Sequence, residues 1–94
     1  MEFKVGSLVE ATYGKDKGQL FFIKELIGNK ALLVNGHNRS LKMPKLKNLK
    51  HIKFKKNYNL DFKFVNDCDI IYLIRCFEAE NKCGGQLSVE TRCH

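Results

Sequence analysis

The stretch GQLFFIKEL, from Gly18 to Leu26, decides how this chain folds. Its first residue is a glycine, which is typical of a turn, and the residues after it are rich in strand formers. The stretch therefore predicts a β-strand over residues 19–26. Neighbouring side chains of a strand point to opposite faces, and the central run from Leu20 to Ile23 is apolar on both. A strand of this kind must be covered on both sides. One face can meet the core of a small barrel, and the C-terminal segment is the natural cover for the other.

Further strands are predicted on both sides of this stretch, over residues 7–12, 31–34 and 37–42, with a short one near residues 50–54. Asn35-Gly36 is a typical hairpin signal between the predicted strands over residues 31–34 and 37–42. Pro44 has no N–H to donate and ends regular pairing after the fourth. Short strands with a turn every eight or so residues predict a mainly β fold, built as a small β-barrel.

The C-terminal third has a different pattern. Asn66 and Asp67 can cap a helix, and four apolar residues recur at helical spacing after them, namely Ile70, Leu73, Ile74 and Phe77. These features predict a helix over residues 67–78 that packs against the barrel, although the β-branched residues leave a strand as the alternative. Gly84-Gly85 would end the helix, and the remaining residues would form a flexible tail.

Positive charge is concentrated in the first part of the chain. The 94 residues carry a formal net charge of +7, and a chain of this length holds one domain. We divide it at residue 56: residues 1–56 have 13 Lys/Arg and 4 Asp/Glu, whereas the extension over residues 57–94 has 4 and 6. This asymmetry predicts a polyanionic partner for the first part. The alternative is a basic surface that only maintains solubility.

The segment from Arg39 to Lys56 has eight basic residues and no acidic residue. Unpaired lysines repel one another, so an anionic ligand would stabilise this segment, and phosphates release counterions when lysines neutralise them. Leu46, Leu49 and Ile52 are expected to anchor the segment to the core. The alternative is a solvated lysine-rich face. The candidate residues for binding the phosphates of such a ligand are Lys15, Lys17, Arg39, Lys42, Lys45, Lys47, Lys50, His51 and Lys53.

The two lysines outside that segment belong to the loop Gly14-Lys15-Asp16-Lys17-Gly18. Its glycines allow the backbone to approach a phosphate closely, and its lysines add charge. Most charged loops between strands are only turns, so this loop is informative because it joins two strands beside the basic segment. Gly18 is expected to adopt a positive φ.

Two stretches resemble a known family. Val5-Gly6-Ser7-Leu8-Val9, the Gly14–Gln19 loop and the strand to Ile23 resemble a KOW motif, a strand–loop–strand unit of ribosomal proteins and some transcription factors. The continuation PKLKNLKHI, residues 44–52, is similar to small bacterial KOW-domain RNA-binding proteins related to the ribosomal protein fourteen-e class. The resemblance covers about residues 4–54. It implies an SH3-like barrel that binds structured RNA, above all ribosomal RNA, with Gly18 as the motif's key glycine and the loop lysines near RNA.

Catalytic and metal-binding patterns are weak. His37, His51 and His94 are scattered, and no phosphate-binding loop of the nucleotide-hydrolase type is present, so we expect a binding protein without a cofactor rather than an enzyme. The four cysteines lack zinc-knuckle spacing, and we expect reduced thiols, with Cys68 and Cys76 in the core. A metal site formed by Cys76, Cys83, Cys93 and His94 is the less favoured alternative.

The start of the chain has no apolar run typical of a signal peptide, and no window reaches the length of a membrane span. We therefore expect a cytoplasmic protein without membrane contact. The expected partners are RNA and ribosomal proteins, and the expected state away from the ribosome is a monomer. Two other functions stay open: a protein–protein adaptor that uses a barrel groove, and a KOW-type transcription-elongation factor.

Overall fold

A computed structural model describes the backbone of residues 3–83 and the side chains of residues 3–80. These residues form strands β1 (Ser7–Ala11), β2 (Leu20–Ile27), β3 (Lys30–Val34), β4 (Lys45–Asn48) and β5 (Ile52–Asn57), followed by helix α1 (Asp67–Cys83). Short 3-10 helices at Gly14–Asp16 and Leu49–His51 precede β2 and β5. The strands form one antiparallel sheet in the order β4-β3-β2-β1-β5. The predicted mainly β fold with a C-terminal helix is therefore confirmed.

The first half of β2, residues 20–23, is buried on both faces, as its sequence predicts. One face contributes Phe21 and Ile23 to an inner cluster, which also contains Val9, Ala11, Ala31, Leu33 and Ile52. The other face contributes Leu20 and Phe22 to an outer cluster, which also contains Leu8, Val34, Ile70 and Ile74. Because Ile70 and Ile74 belong to α1, the C-terminal helix covers the outer face of the sheet.

The sheet itself covers the inner cluster. Among the described residues, the partly buried side chains that pack against this cluster are Phe3, Leu26 and Leu49, and none comes from α1. The edge strands β4 and β5 follow one another along the chain and are joined by the 3-10 helix Leu49–His51. The N–H of Leu49 donates to the carbonyl of Asn29 (2.9 Å), and the carbonyl of His51 accepts from Thr12 (2.9 Å). The sheet therefore curls over its own core.

Helix α1 begins with a reciprocal cap. The side chain of Asn66 accepts a hydrogen bond from the N–H of Asp69 (2.9 Å), and the carboxylate of Asp69 accepts from the N–H of Asn66 (3.2 Å). Both bonds satisfy N–H groups that a helix start leaves unpaired. The helix runs to Cys83, five residues beyond the predicted end, and the predicted flexible tail lies outside the described residues.

The predicted fourth strand over residues 37–42 is wrong. Asn35 does not start a two-residue hairpin, because its side-chain oxygen accepts hydrogen bonds from the N–H groups of His37 and Arg39 and bends the chain. The N–H of Leu41 donates to the side chain of Asp67, at the start of α1 (2.9 Å). These contacts hold the segment against the helix, and the fourth strand forms later, at Lys45–Asn48.

The last strand also differs from its prediction. Asn48 accepts a hydrogen bond from the N–H of Lys50 (2.9 Å) and caps the 3-10 helix there, so β5 starts only at Ile52 and runs to Asn57. Cys68 is exposed in the first turn of α1 and not in the core, whereas Cys76 is half-buried. The alternative metal site involves residues outside the described side chains.

Within the described part of the chain, no helix is long and apolar enough to cross a membrane.

Candidate nucleic-acid interface

The loop between β1 and β2 lies beside the basic segment, as the order of the predicted strands indicates. Gly14 and Gly18 adopt positive φ angles of 81° and 91°, and Gly18 donates its N–H to the carbonyl of Ala11 (2.8 Å). A Cβ at Gly14 would lie 3.7 Å from Nζ of Lys47. The loop backbone and β4 are therefore in close proximity.

Asp16 joins the loop to β4. This carboxylate is buried and lies 2.6 Å from Nζ of Lys45 and 3.8 Å from Nζ of Lys47. The hydrogen bond from Lys45 lowers the pKa of Asp16 below its ordinary value, burial opposes this shift, and the charges of Lys45, Lys47 and Arg39 add to the lowering. Asp16 is therefore an anion under neutral conditions, and it fixes the position of two lysines.

The strand register explains why these two lysines meet Asp16. Lys45 pairs with Leu33 and Lys47 pairs with Ala31, and both partners face the inner cluster. Directly opposed residues share a face, so Lys45 and Lys47 stand on the inner side of the edge strand. The side chain of Lys47 is only 9% exposed. Leu46, expected as an anchor, points the other way and is 49% exposed, so that expectation is wrong.

A second contact joins the loop to the 3-10 helix before β5. The rings of Tyr13 and His51 stack with their centroids 4.6 Å apart and their planes 21° apart. The backbone N–H of the preceding residue, Thr12, donates to the carbonyl of His51. Tyr13 nevertheless remains 64% exposed.

These contacts join Tyr13 to His51 and Asp16 to Lys45 and Lys47. Together with the lysines next to them along the chain, they define a surface that we name the basic face: Tyr13, Lys15, Lys17, Lys45, Lys47, Lys50 and His51. Lys15, Lys17 and Lys50 are exposed, and none of the three described ion pairs includes them. The five lysines and the single carboxylate of Asp16 leave a net charge of +4. The basic face therefore presents positive charge beside an exposed aromatic ring.

The other three predicted site residues, Arg39, Lys42 and Lys53, lie outside the basic face. Arg39 is half-buried, although its charge acts on Asp16. Lys42 is exposed in the segment between β3 and β4, and no described contact joins it to the basic face. Lys53 is exposed on β5, directly opposite Glu10 on β1.

The expectation that the lysines of the basic segment are unpaired is wrong for Lys45, Lys47 and Lys55. Asp16 pairs with Lys45 and Lys47, and Glu10 pairs with Lys55 at 3.1 Å. Both acids precede the segment along the chain, so a charge count within residues 39–56 does not include them. The basic segment is therefore partly neutralised by the strand and loop that it packs beside.

Asp16 and Tyr13 are site residues that the sequence pattern does not predict. One signal was present for Asp16, because it is the only acid in a loop with two lysines and its neighbours along the chain are both basic. Tyr13 and His51 are far apart in the sequence, and nothing in the residues around Tyr13 indicates that the two rings stack.

No protein-family model matches this chain, and no curated protein matches it.

Proposed function

We propose that this protein binds structured ribosomal RNA through the basic face and that it acts in association with the ribosome. The observation behind this proposal is the convergence of the Gly14–Gly18 loop, β4 and the Leu49–His51 turn on one surface. Two side-chain contacts hold that surface together, the Asp16 ion pairs and the Tyr13–His51 stack. Positive charge and an exposed ring on a rigid support suit a phosphate backbone that carries bases.

The charge supplies sequence-independent affinity. Lys15, Lys17 and Lys50 are exposed and unpaired in the described structure, so each can neutralise a phosphate and release a counterion. Lys45 and Lys47 act differently, since their ammonium groups are held by Asp16 and keep the loop in place. The proposed RNA contacts are therefore Lys15, Lys17 and Lys50, with Lys53 at the margin.

The fold that we propose for this function is an SH3-like barrel of the KOW class. The residues that resemble the KOW motif lie on β1, the Gly14–Gly18 loop and β2, and Gly18 has the positive φ expected of the motif's glycine. The order β4-β3-β2-β1-β5 and the curl of the sheet over its core agree with such a barrel.

The structure gives less support to the adaptor function. The peptide groove of such a barrel is usually rich in exposed aromatic residues, but the two aromatic residues of β2, Phe21 and Phe22, are fully buried, and Tyr13 stacks on His51. No described feature favours an elongation factor or an enzyme, and His51 stacks on Tyr13 instead of meeting a carboxylate. We propose a cytoplasmic protein that is a monomer away from the ribosome and that needs no cofactor.

Matched charge reversals test this proposal. Lys15→Glu/Lys50→Glu changes two exposed lysines of the basic face. Lys4→Glu/Lys63→Glu makes the same charge change at exposed lysines that lie elsewhere, since Lys4 precedes β1 and Lys63 precedes α1. We expect the first variant to bind deproteinised ribosomal RNA at least about tenfold more weakly than wild type in an anisotropy titration, and the second to bind much more tightly than the first.

Equal losses in the two double variants would show that net charge alone drives binding and would contradict the proposed site. Co-sedimentation tests the ribosomal target. Wild-type protein should migrate with ribosomes in a gradient at low salt and leave them at high salt. Recovery only in the ribosome-free fractions at low salt would contradict the association.

A further inference from the structure

We infer that Tyr13 is a stacking platform for an unpaired base, so that the basic face prefers RNA with a bulge or loop over a continuous duplex. This inference rests on the proposed function and specifies the class of RNA. It depends on three observations: the exposure of the Tyr13 ring, the support beneath it, and the lysines beside it.

The Tyr13 residue is largely exposed although its ring stacks on His51. His51 covers one face of Tyr13 at a centroid distance of 4.6 Å, yet Tyr13 keeps 64% of its surface exposed. An aromatic ring in that situation has its second face available. The face is of the right size for a nucleobase, and any of the four bases can stack on an aromatic side chain.

The support under the ring is rigid. Tyr13 has extended backbone, with φ −148° and ψ 148°, and the hydrogen bond from Thr12 to the carbonyl of His51 ties it to the 3-10 helix. That helix is capped by Asn48, and the residue after His51, Ile52, is buried in the inner cluster. The stack is therefore formed before any ligand arrives, which lowers the entropic cost of binding.

The neighbouring charges favour a nucleotide over a plain apolar ligand. Lys15 lies two residues after Tyr13, and Lys50 directly precedes His51, so an exposed lysine neighbours each of the two stacked residues along the chain and can contact a phosphate of the bound nucleotide. Bases in a continuous duplex are stacked on one another and cannot cover a protein ring. Unpaired bases in bulges and loops can stack on a protein ring, and RNA-binding proteins commonly bind them in this way.

The test compares two RNA probes at one salt concentration. One is a fully paired RNA duplex of about 16 base pairs, and the other is the same duplex with a bulge of unpaired adenines. We expect wild-type protein to bind the bulged probe about tenfold more tightly, and Tyr13→Ala to remove that preference. Tyr13→Phe should keep it, because the substitution preserves the ring.

Phe64→Ala is the matched control, because Phe64 is 82% exposed and lies in the segment before α1. That segment packs near Gly6, at the end of β1 opposite to Tyr13, and Phe64→Ala should keep the preference. Equal binding of the two probes by wild-type protein would overturn the inference, as would a preference that survives in Tyr13→Ala or is lost in Phe64→Ala.

The outcomes also separate this inference from the proposed function. Salt-dependent binding of both probes without any preference overturns the stacking platform but agrees with an RNA-binding basic face. Failure of wild-type protein to bind either probe or ribosomal RNA at low salt contradicts the proposed function itself.

Discussion

The basic face contains two kinds of lysine, although the sequence presents them alike. Lys45 and Lys47 on β4 point to the inner side of the sheet edge and pair with the buried Asp16. Lys15 and Lys50, in the loop and the 3-10 helix, are exposed and take part in none of the described ion pairs. The difference shows that a basic segment can divide into lysines that build a surface and lysines that are free to bind.

The largest expected effect on folding comes from reversing a structural lysine. Lys47→Glu would place a second carboxylate beside Asp16 at a position that is almost fully buried. Like charges in such a site cannot both ionise without cost, so we expect a loss of about 3 kcal/mol or more in the free energy of unfolding. Urea denaturation measures it. Lys50→Glu is the control and should change stability by less than about 0.5 kcal/mol; similar losses in both variants would remove the distinction.

A smaller effect is expected when the carboxylate is removed. Asp16→Asn keeps the shape of the side chain but leaves Lys45 and Lys47 without their anion, which should cost about 1 to 3 kcal/mol at neutral pH. A pKa of Asp16 that is lowered from 3.8 means that the unfolded chain takes up the proton more readily. The stabilisation is therefore complete above this ordinary value and is lost as the pH falls through the folded pKa.

The difference in unfolding free energy between wild type and Asp16→Asn should consequently shrink as the pH falls below about 4. Denaturation at several pH values measures this difference. A difference that stays constant from neutral to strongly acidic pH would show that the ion pairs do not stabilise the fold.

The smallest effect is expected at the ion pair between Glu10 and Lys55, whose side chains are about one third exposed or slightly less. Solvent screens such a pair, and Glu10→Gln should cost no more than about 0.5 to 1 kcal/mol in thermal unfolding. A loss as large as that of Asp16→Asn would mean that burial does not separate the two ion pairs.

The sequence predicts the parts of this fold that depend on local patterns. The doubly apolar run from Leu20 to Ile23 requires cover on both faces, and α1 provides the outer cover through Ile70 and Ile74. The sequence also predicts Asn66 as a helix cap, because a cap is a contact within a few residues of the chain. These predictions succeed because alternation and capping act over a few residues.

The errors come from contacts between distant residues. Gly36 has a positive φ, as a hairpin turn would require, but a Cβ there would collide with the backbone carbonyl of Asp67 on α1. Asp67 also binds the N–H of Leu41, 26 residues away in sequence, so the segment becomes a loop held by the helix. No local pattern shows such a contact. The pairing of Asp16 with Lys45 and Lys47 also joins residues about 30 positions apart, and no local pattern predicts it.

The salt dependence of RNA binding tests the central claim most directly. If Lys15, Lys17, Lys50 and Lys53 contact about four phosphates, the plot of log affinity against log salt concentration should have a slope of about −2.8 to −3.6. Lys15→Glu/Lys50→Glu should reduce the magnitude of that slope by about 1.5 to 2, and Lys4→Glu/Lys63→Glu should leave it unchanged. A flat salt response in wild-type protein, or equal slopes in the two double variants, would contradict the account.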